Sequence, residues 1–283
     1  MWNKNVYTFL GCEQDFEESS IVIFGAPYDS TTSNRPGTRF ASAAMRQESY
    51  GLETYSPYLD RDMEDYCFYD GGDLELSFGN SEKTLQIIED YCDKVLSDKK
   101  LPLMIGGEHL VTLGSFRAIA KHYPDIHVIH FDAHTDLRDS YLDVTLSHAC
   151  VIRRIHDLIG DHRIHQFGIR SGEREEFQFG KLHNDLHPFS FEGLETTIEF
   201  LKGKPIYLTI DLDVLDPSIF PGTGTPEAGG VNFLELIHAI KEVSKLKIVG
   251  CDLTELAPML DSSGVSTAVA CKVLRELLLS LTK

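Results

Sequence analysis

Seven side chains suited to acid–base or metal chemistry follow directly on apolar runs: His109, Asp132, His134, Asp136, Asp211, Asp213 and Glu255. The densest group closes the stretch Val128-Ile-His-Phe-Asp-Ala-His-Thr-Asp136. Residues two apart point to one side of an extended strand. Asp132, His134 and Asp136 would therefore leave the tip of one buried strand together, provided it stays extended that far. Each group alone has an ordinary alternative: a surface turn for Asp-Ala-His-Thr-Asp, a helix start for His109, turn and cap positions for Asp211 and Asp213. Three such groups at equivalent places in three strand–helix units make coincidence a poor account.

Four aspartates around two histidines are self-defeating without cations, because carboxylates a few ångströms apart repel and drive one another's pKa upward. Two divalent ions neutralise those four charges. Mostly oxygen donors with one imidazole per ion suit Mn²⁺ better than structural zinc. Water between two such ions is acidic enough to supply hydroxide near neutral pH. A hydroxide there leaves the centre one net negative charge, which attracts a cationic substrate. The expected ligands are His109, Asp132, His134, Asp136, Asp211 and Asp213, holding two Mn²⁺ per chain.

Such a set has to be carried by strands ending at a common edge. Ile21-Val-Ile-Phe-Gly25 is a continuously apolar run of the kind covered on both faces. Residues 26–37 are turn and breaker types. A helix is predicted over 39–46, and a strand over 67–70 ended by Gly71-Gly72. Apolar spacing predicts a helix over 81–96 with Ser81 as its cap. Leu101-Pro-Leu-Met-Ile105 is the next strand, and Gly106-Gly107 lets the backbone turn sharply to place His109 on the rim. A helix continues to about Lys121.

The central strand, 126–131, is followed by a helix over 147–159 and a strand over 163–169. Residues 172–188 are polar and give no assignment. A helix over 191–201 precedes the strand Pro205-Ile-Tyr-Leu-Thr-Ile210, and 217–230 is Gly- and Pro-rich loop. Asn232 caps a helix to about Lys245, 247–253 is the last strand, and 266–281 the closing helix. Strands alternating with helices predict a mostly parallel sheet covered on both faces, with ligands beyond the carboxyl ends of its strands.

The 283 residues show no composition break or repeat, so a single domain over 1–283 is expected. With Lys+Arg 26 against Asp+Glu 44 the net charge is −18, which argues against nucleic acid and mildly favours cationic small molecules. The six cysteines are scattered without a Cys-x-x-Cys pair, as in reduced core thiols of a cytoplasmic protein. The start, Met1-Trp-Asn-Lys-Asn-Val-Tyr7, shows no secretory signal, and no run is long enough to cross a bilayer. The expected setting is cytoplasmic, with neither membrane nor nucleic acid as partner.

Gly106-Gly-Glu-His109, Asp132-Ala-His-Thr-Asp136 and Asp211-Leu-Asp-Val-Leu-Asp-Pro217 resemble the three signature motifs of the ureohydrolases, the arginase and agmatinase family. The resemblance runs from Phe24-Gly-Ala-Pro-Tyr-Asp29 to Asp252-Leu-Thr-Glu-Leu-Ala-Pro258, nearly the whole chain. It implies a three-layer α/β/α sandwich with a mostly parallel central sheet and a binuclear manganese site held by the six residues named above. It also implies hydrolysis of a guanidinium to urea and an amine by a metal-bridging hydroxide. Glu255 matches the acid that holds the guanidinium nitrogens, a charge-assisted pair. His148, in Leu-Ser-His-Ala, matches the histidine that passes a proton to the leaving amine. The family commonly forms homo-oligomers, trimers or hexamers.

The arginase branch carries an Asn shortly after Asp-Ala-His-Thr-Asp, whereas here Leu137-Arg-Asp-Ser-Tyr-Leu-Asp143 follows. The segments 147–154 and 221–230 resemble bacterial agmatinases. Agmatine, giving putrescine and urea in polyamine biosynthesis, is therefore the expected substrate. Guanidinobutyrase, arginase and formiminoglutamase activities are the alternatives. Ala149 stands where many relatives have Gly, and its methyl group would narrow the pocket. A dinuclear metallophosphoesterase is disfavoured by motif order, because Gly-Gly-Glu-His109 precedes Asp132-x-His134 and Asp211-x-Asp213 has no counterpart there. A non-catalytic metal-binding relative would show a broken ligand set or lack Glu255, and this sequence shows neither.

Overall fold

The computed structural model describes residues 7–282; Met1 to Val6, most of the stretch read as lacking a secretory signal, lie outside the described residues. In chain order the elements are β1 (Ile21–Gly25), α1 (Ala41–Ser49), β2 (Tyr55–Ser56), β3 (Arg61–Asp62), β4 (Phe68–Asp73), α2 (Ser81–Ser97), β5 (Leu101–Ile105), α3 (Thr112–His122) and β6 (His127–Phe131). They continue with α4 (Val151–Ile159), β7 (Ile164–Ile169), α5 (Arg174–His183), β8 (Asp185–Pro188), α6 (Leu194–Leu201), β9 (Pro205–Asp211), α7 (Phe233–Val243), β10 (Lys247–Thr254) and α8 (Val265–Leu281).

Eight strands form one sheet in the order β4-β1-β5-β10-β9-β6-β7-β8. Every neighbouring pair in it runs parallel. The strands read as continuous apolar runs because both faces are covered. On one face, side chains of α1, α6, α7 and α8 pack with Ile129, Phe131, Leu208 and Ile210. On the other, α2, α3 and α4 pack with Val128, Met104, Tyr207 and Val249. This is the three-layer α/β/α sandwich. Fully buried rings such as Phe131 and Phe167 each contribute about 2–3 kcal/mol of apolar burial.

The consecutive strands β5 and β6 are separated in the sheet by β10 and β9, which arrive later in the chain. Such a divergence opens a crevice at the carboxyl edge. The registers Ile105↔Leu253, Thr254↔Asp211 and Ile210↔Phe131 bring the four strand ends to one level.

Several boundaries differ from the sequence expectation. β4 runs on through Gly71 and Gly72 to Asp73 instead of ending at them, because its pairing with β1 continues. Asn80, not Ser81, caps α2, its Oδ1 accepting the Lys83 N–H at 2.9 Å. α6 begins at Leu194 rather than 191. The unassigned stretch 172–188 holds α5 and edge strand β8. In α5 only Glu176 and Gly180 are buried, so no apolar stripe marks it. A capping box does: Glu173 N–H donates to Glu176 Oε2 at 2.8 Å. Of the cysteines, all free, Cys67 is exposed rather than in the core.

Candidate active site and metal centre

The four central strand ends each deliver one part of the site. After β5, Gly106 N–H donates to Leu253 O at 2.7 Å and Glu108 N–H to Tyr28 O at 2.8 Å. A Cβ on Gly107 would collide with the Tyr28 backbone, so glycine is required for this close approach. The chain then turns and His109 opens a short helical turn ahead of α3. β9 ends in Asp211, whose Oδ1 accepts the Asp213 N–H at 2.9 Å. β10 leads to Glu255, whose N–H donates to Gly107 O at 3.0 Å.

After β6 the strand does not stay extended through Asp136. It ends at Phe131, His134 makes an isolated bridge to Ser171, and Asp136 adopts φ +52°. A turning loop, not strand alternation, gathers Asp132, His134 and Asp136. Both Asp136 and Glu255 (φ +65°) sit in the left-handed region, at roughly 1–2 kcal/mol for a residue with a Cβ. Strain of this kind concentrates at functional sites.

The structure brings all six expected ligand residues together. His109 Nδ1 lies 3.0 Å from Asp132 Oδ2, 3.0 Å from Asp136 Oδ2 and 3.3 Å from Asp211 Oδ2. His134 Nδ1 lies 3.0 Å from Asp213 Oδ2 and 3.5 Å from Asp132 Oδ1. Asp132 faces both imidazoles, one through each oxygen, so the donors form two adjoining groups. Yet His109 Nδ1 and Asp213 Oδ2, both buried, have no hydrogen-bond partner among the described residues. The nitrogen is ringed by carboxylate oxygens at contact distance but aligned with none. A lone pair aimed among three anionic oxygens suits a cation, and the donor set accommodates divalent ions of the manganese type.

Neighbouring groups fix the imidazole tautomers. His109 Nε2 lies 2.9 Å from Thr209 Oγ1, whose hydroxyl donates to Asp252 Oδ1 at 2.7 Å; Tyr207 OH donates to the other oxygen of Asp252. This chain holds a ring proton on Nε2, so Nδ1 is the nitrogen offered to a cation that displaces its proton. On the opposite side Gln166 Nε2 lies 3.1 Å from His130 Nδ1, and His130 Nε2 2.8 Å from Asp132 Oδ2. Sequence reasoning missed His130, Gln166, Thr209 and Asp252. For two of them the signal is parity: Thr209 is two residues before Asp211, and His130 two before Asp132.

The electrostatics are those of a site short of positive charge. Burial, then the Asp132 charge, pushes Asp136 up to about 7. Burial, then Asp213 and Asp132, raises Asp211 well above the usual carboxylate range. Glu255 is likewise raised by burial and then by Glu108, itself pushed up to about 7 by burial. Burial works against ionisation of Asp132 too, but His130, His109 and His134 hold it low. His109 and His134 are raised despite burial, by the aspartates facing them.

His109, His134, Asp136, Asp211, Asp213 and Glu255 line a cavity of about 260 Å³ with Ser33, Arg138, Tyr141, His148, Ala149, Glu173, Glu176 and Thr225. Glu255 enters it with Oε1 accepting the His109 N–H at 2.7 Å. His148 N–H donates to Thr31 Oγ1 at 3.1 Å, and its ring meets Tyr141 edge-on at 5.9 Å. Glu108, buried, accepts the Thr31 hydroxyl at 2.7 Å and so fixes the loop that seats His148. Burial first, and then the charges of His134 and His109, bring His148 down to about 4, so its ring is neutral at physiological pH. The capped start of α5 supplies Glu173 and Glu176 to the rim, a contribution hidden in the unassigned stretch. Ala149 does line the cavity, as its position after His148 suggested.

The Arginase family model matches residues 19–280. The chain is similar to an agmatinase of Bacillus anthracis, 48% identical over 279 residues, which cover 97% of this chain and 96% of that protein. A crystal structure from Clostridium difficile superposes with TM-score 0.92 at 55% identity, covering 94% of this chain and 98% of that one. The agmatine ureohydrolase of Thermoplasma volcanium superposes with TM-score 0.89 at 34% identity, covering 98% and 95%. A match spanning nearly every described element, relatives near half identity along their whole length and the same sheet underneath mean that this chain belongs to the arginase family.

Proposed function

We propose that this protein is a manganese-dependent ureohydrolase that converts agmatine to putrescine and urea. The carrying observation is the buried Nδ1 of His109, surrounded at 3.0–3.3 Å by three aspartate oxygens and hydrogen-bonded to none. His109, Asp132, Asp136 and Asp211 would hold one ion; His134, Asp132, Asp211 and Asp213 would hold the second. When bound, the two ions supply Lewis acidity and hydroxide at neutral pH.

The chain's own residues do the rest. Glu255 spends Oε1 on the His109 backbone and leaves its second oxygen to a guanidinium N–H. His148, neutral and hydrogen-bonded at its backbone through Thr31, accepts a proton and passes it to the departing amine. The rim carries Glu173 and Glu176 against Arg138 alone, and Arg138 already pairs with both at 3.2 and 3.4 Å. An acidic mouth supports a substrate with a cationic tail over one with a carboxylate, hence agmatine over arginine or guanidinobutyrate.

Residues 1–283 act as one ureohydrolase domain in this reading. The unpaired cysteines support a cytoplasmic setting, where putrescine would enter polyamine synthesis. Assembly as a trimer or hexamer, common in the family, is part of this proposal and is checked by light scattering. The decisive experiment is urea release by manganese-loaded protein from agmatine, arginine and guanidinobutyrate. Agmatine should give the highest kcat/KM; arginine as the best substrate would overturn the proposal.

A further inference from the structure

We propose that His156, Asp161 and His183, at the carboxyl ends of α4 and α5, form a second cation site that takes one divalent ion of the zinc class. It does not rest on the hydrolytic reading, since none of the three residues lines the central cavity. His156 Nε2 and His183 Nδ1 both lie 2.9 Å from the same oxygen, Asp161 Oδ1. The three donor atoms lie within 4.8 Å of one another. A tetrahedral ion bound at about 2.0–2.2 Å to imidazole and carboxylate sets its donors about 3.3–3.6 Å apart, so the two 2.9 Å contacts need to open by only about half an ångström to admit one. Asp161 is half exposed, so water has access to the remaining positions.

Without an ion, His156 Nε2–H and His183 Nδ1–H both donate to Asp161 Oδ1 at 2.9 Å. A divalent ion takes those two nitrogens once each ring carries its proton on the other nitrogen. For His156 that proton then faces Asp157 Oδ1, now 3.8 Å from an Nδ1 that is buried and without a hydrogen bond. Asp157 then acts as the outer carboxylate orienting a ligating imidazole.

The cradle is built before any ion arrives. Gly160 N–H donates to His156 O at 2.8 Å and His162 N–H to His183 O at 2.6 Å, pinning the residues on either side of Asp161 to the two helix ends. Phe179 walls the site, its ring 4.3 Å from that of His183 and 4.9 Å from that of His156. Two imidazoles with one carboxylate select zinc, nickel or copper over the harder ions suited to the aspartate-rich centre. An ion here would staple α4 to α5, whose opposite ends carry His148 and Glu173/Glu176. The nine-residue α4 separates the two places by about 13 Å at 1.5 Å per residue.

The test uses full-length protein saturated with manganese and titrated with zinc chloride, followed by desalting and metal analysis. The wild type should retain one more zinc per chain than His156→Ala/His183→Ala, with equal manganese. Zinc should raise the wild-type Tm by about 5 °C and leave the double variant unmoved. Asp161→Asn, a near-isosteric change at an exposed position, keeps the question open to refutation if the double variant folds poorly; it should bind the extra zinc at least tenfold more weakly. Equal zinc retention in wild type and either variant, or an extra zinc held by Asp161→Asn with wild-type affinity, would overturn the proposal.

Discussion

Glu255 accepts the backbone N–H of His109 through Oε1 at 2.7 Å, so the acid proposed to hold substrate also sets where a proposed metal ligand begins. The amide oxygen of Gln would still accept that N–H, but the negative charge facing the guanidinium would be lost. A hydrogen bond to a charged group contributes about 1.5–3 kcal/mol. Glu255→Gln should therefore lower kcat/KM for agmatine by about 10- to 150-fold, with manganese content unchanged. Steady-state kinetics with metal analysis checks this, and activity within threefold of wild type would remove Glu255 from the role.

Thr209 tests the control of the imidazole tautomer. Its hydroxyl lies 2.9 Å from His109 Nε2 and donates to Asp252 at 2.7 Å. Thr209→Val keeps the shape but leaves the ring N–H unpaired, freeing the ring to reorient. Loss of such an outer partner weakens metal affinity by about 10- to 100-fold. The manganese activation constant should rise accordingly while kcat at saturating metal falls less.

Metal binding should strengthen with pH. In the metal-free protein Asp136 is raised to about 7 from a usual value of 3.8, chiefly by burial, and His109 and His134 are raised above 6.5 by their carboxylates. The folded chain thus holds protons that the unfolded chain has released. That contribution to stability is complete at low pH and is lost as pH rises through the folded values. His148, held down to about 4 by burial, acts with the opposite sign, but only between about 4 and 6.5. Above that window the metal-free Tm should fall with pH. Cations displace the same protons, so the manganese-induced rise in Tm should be larger at about pH 8 than at about pH 6.5, with apparent affinity gaining about tenfold per pH unit per proton released. Calorimetry at the two pH values checks this; a smaller increment at the higher pH would contradict it.

The sheet and the donor types were legible in the sequence because each donor group follows an apolar run, and parallel sheets expose only those ends. The path of the loop was not legible. Spacing by two puts Asp132, His134 and Asp136 on one side of an extended chain, whereas Asp136 reaches His109 through a left-handed backbone. Partners set by sheet register were equally hidden. Thr209 and Asp252 meet because β9 and β10 pair there, and a pairing between distant segments leaves no local trace. α5 escaped notice because its polar composition buries little, although its capping box was available to be read.

Removing the imidazole of His148 should separate proton transfer from metal and substrate binding. The residue lines the cavity, donates its backbone N–H to Thr31 and holds no hydrogen bond to any of the six proposed metal ligands. His148→Ala should lower kcat by about 10²–10⁴-fold while leaving manganese content and KM within a fewfold of wild type. Wild-type kcat in this variant would assign the proton transfer elsewhere.

Gly107 is where backbone space and site geometry meet. A Cβ there would strike the Tyr28 backbone, whose carbonyl accepts the Glu108 N–H at 2.8 Å, while Gly107 O accepts the Glu255 N–H at 3.0 Å. Gly107→Ala must therefore push the turn away from β1's loop, moving Glu108, His109 and Glu255 together. Forced overpacking of this kind costs about 1–3 kcal/mol. A destabilisation of that size shifts Tm by only several degrees in a chain of this length, whereas a displacement of three site residues should remove most activity. The expected result is a folded protein with a modestly lower Tm, reduced manganese binding and at least a hundredfold loss of kcat/KM. Full activity alongside a lowered Tm would mean that the turn can yield without moving His109, and that the glycine serves packing alone.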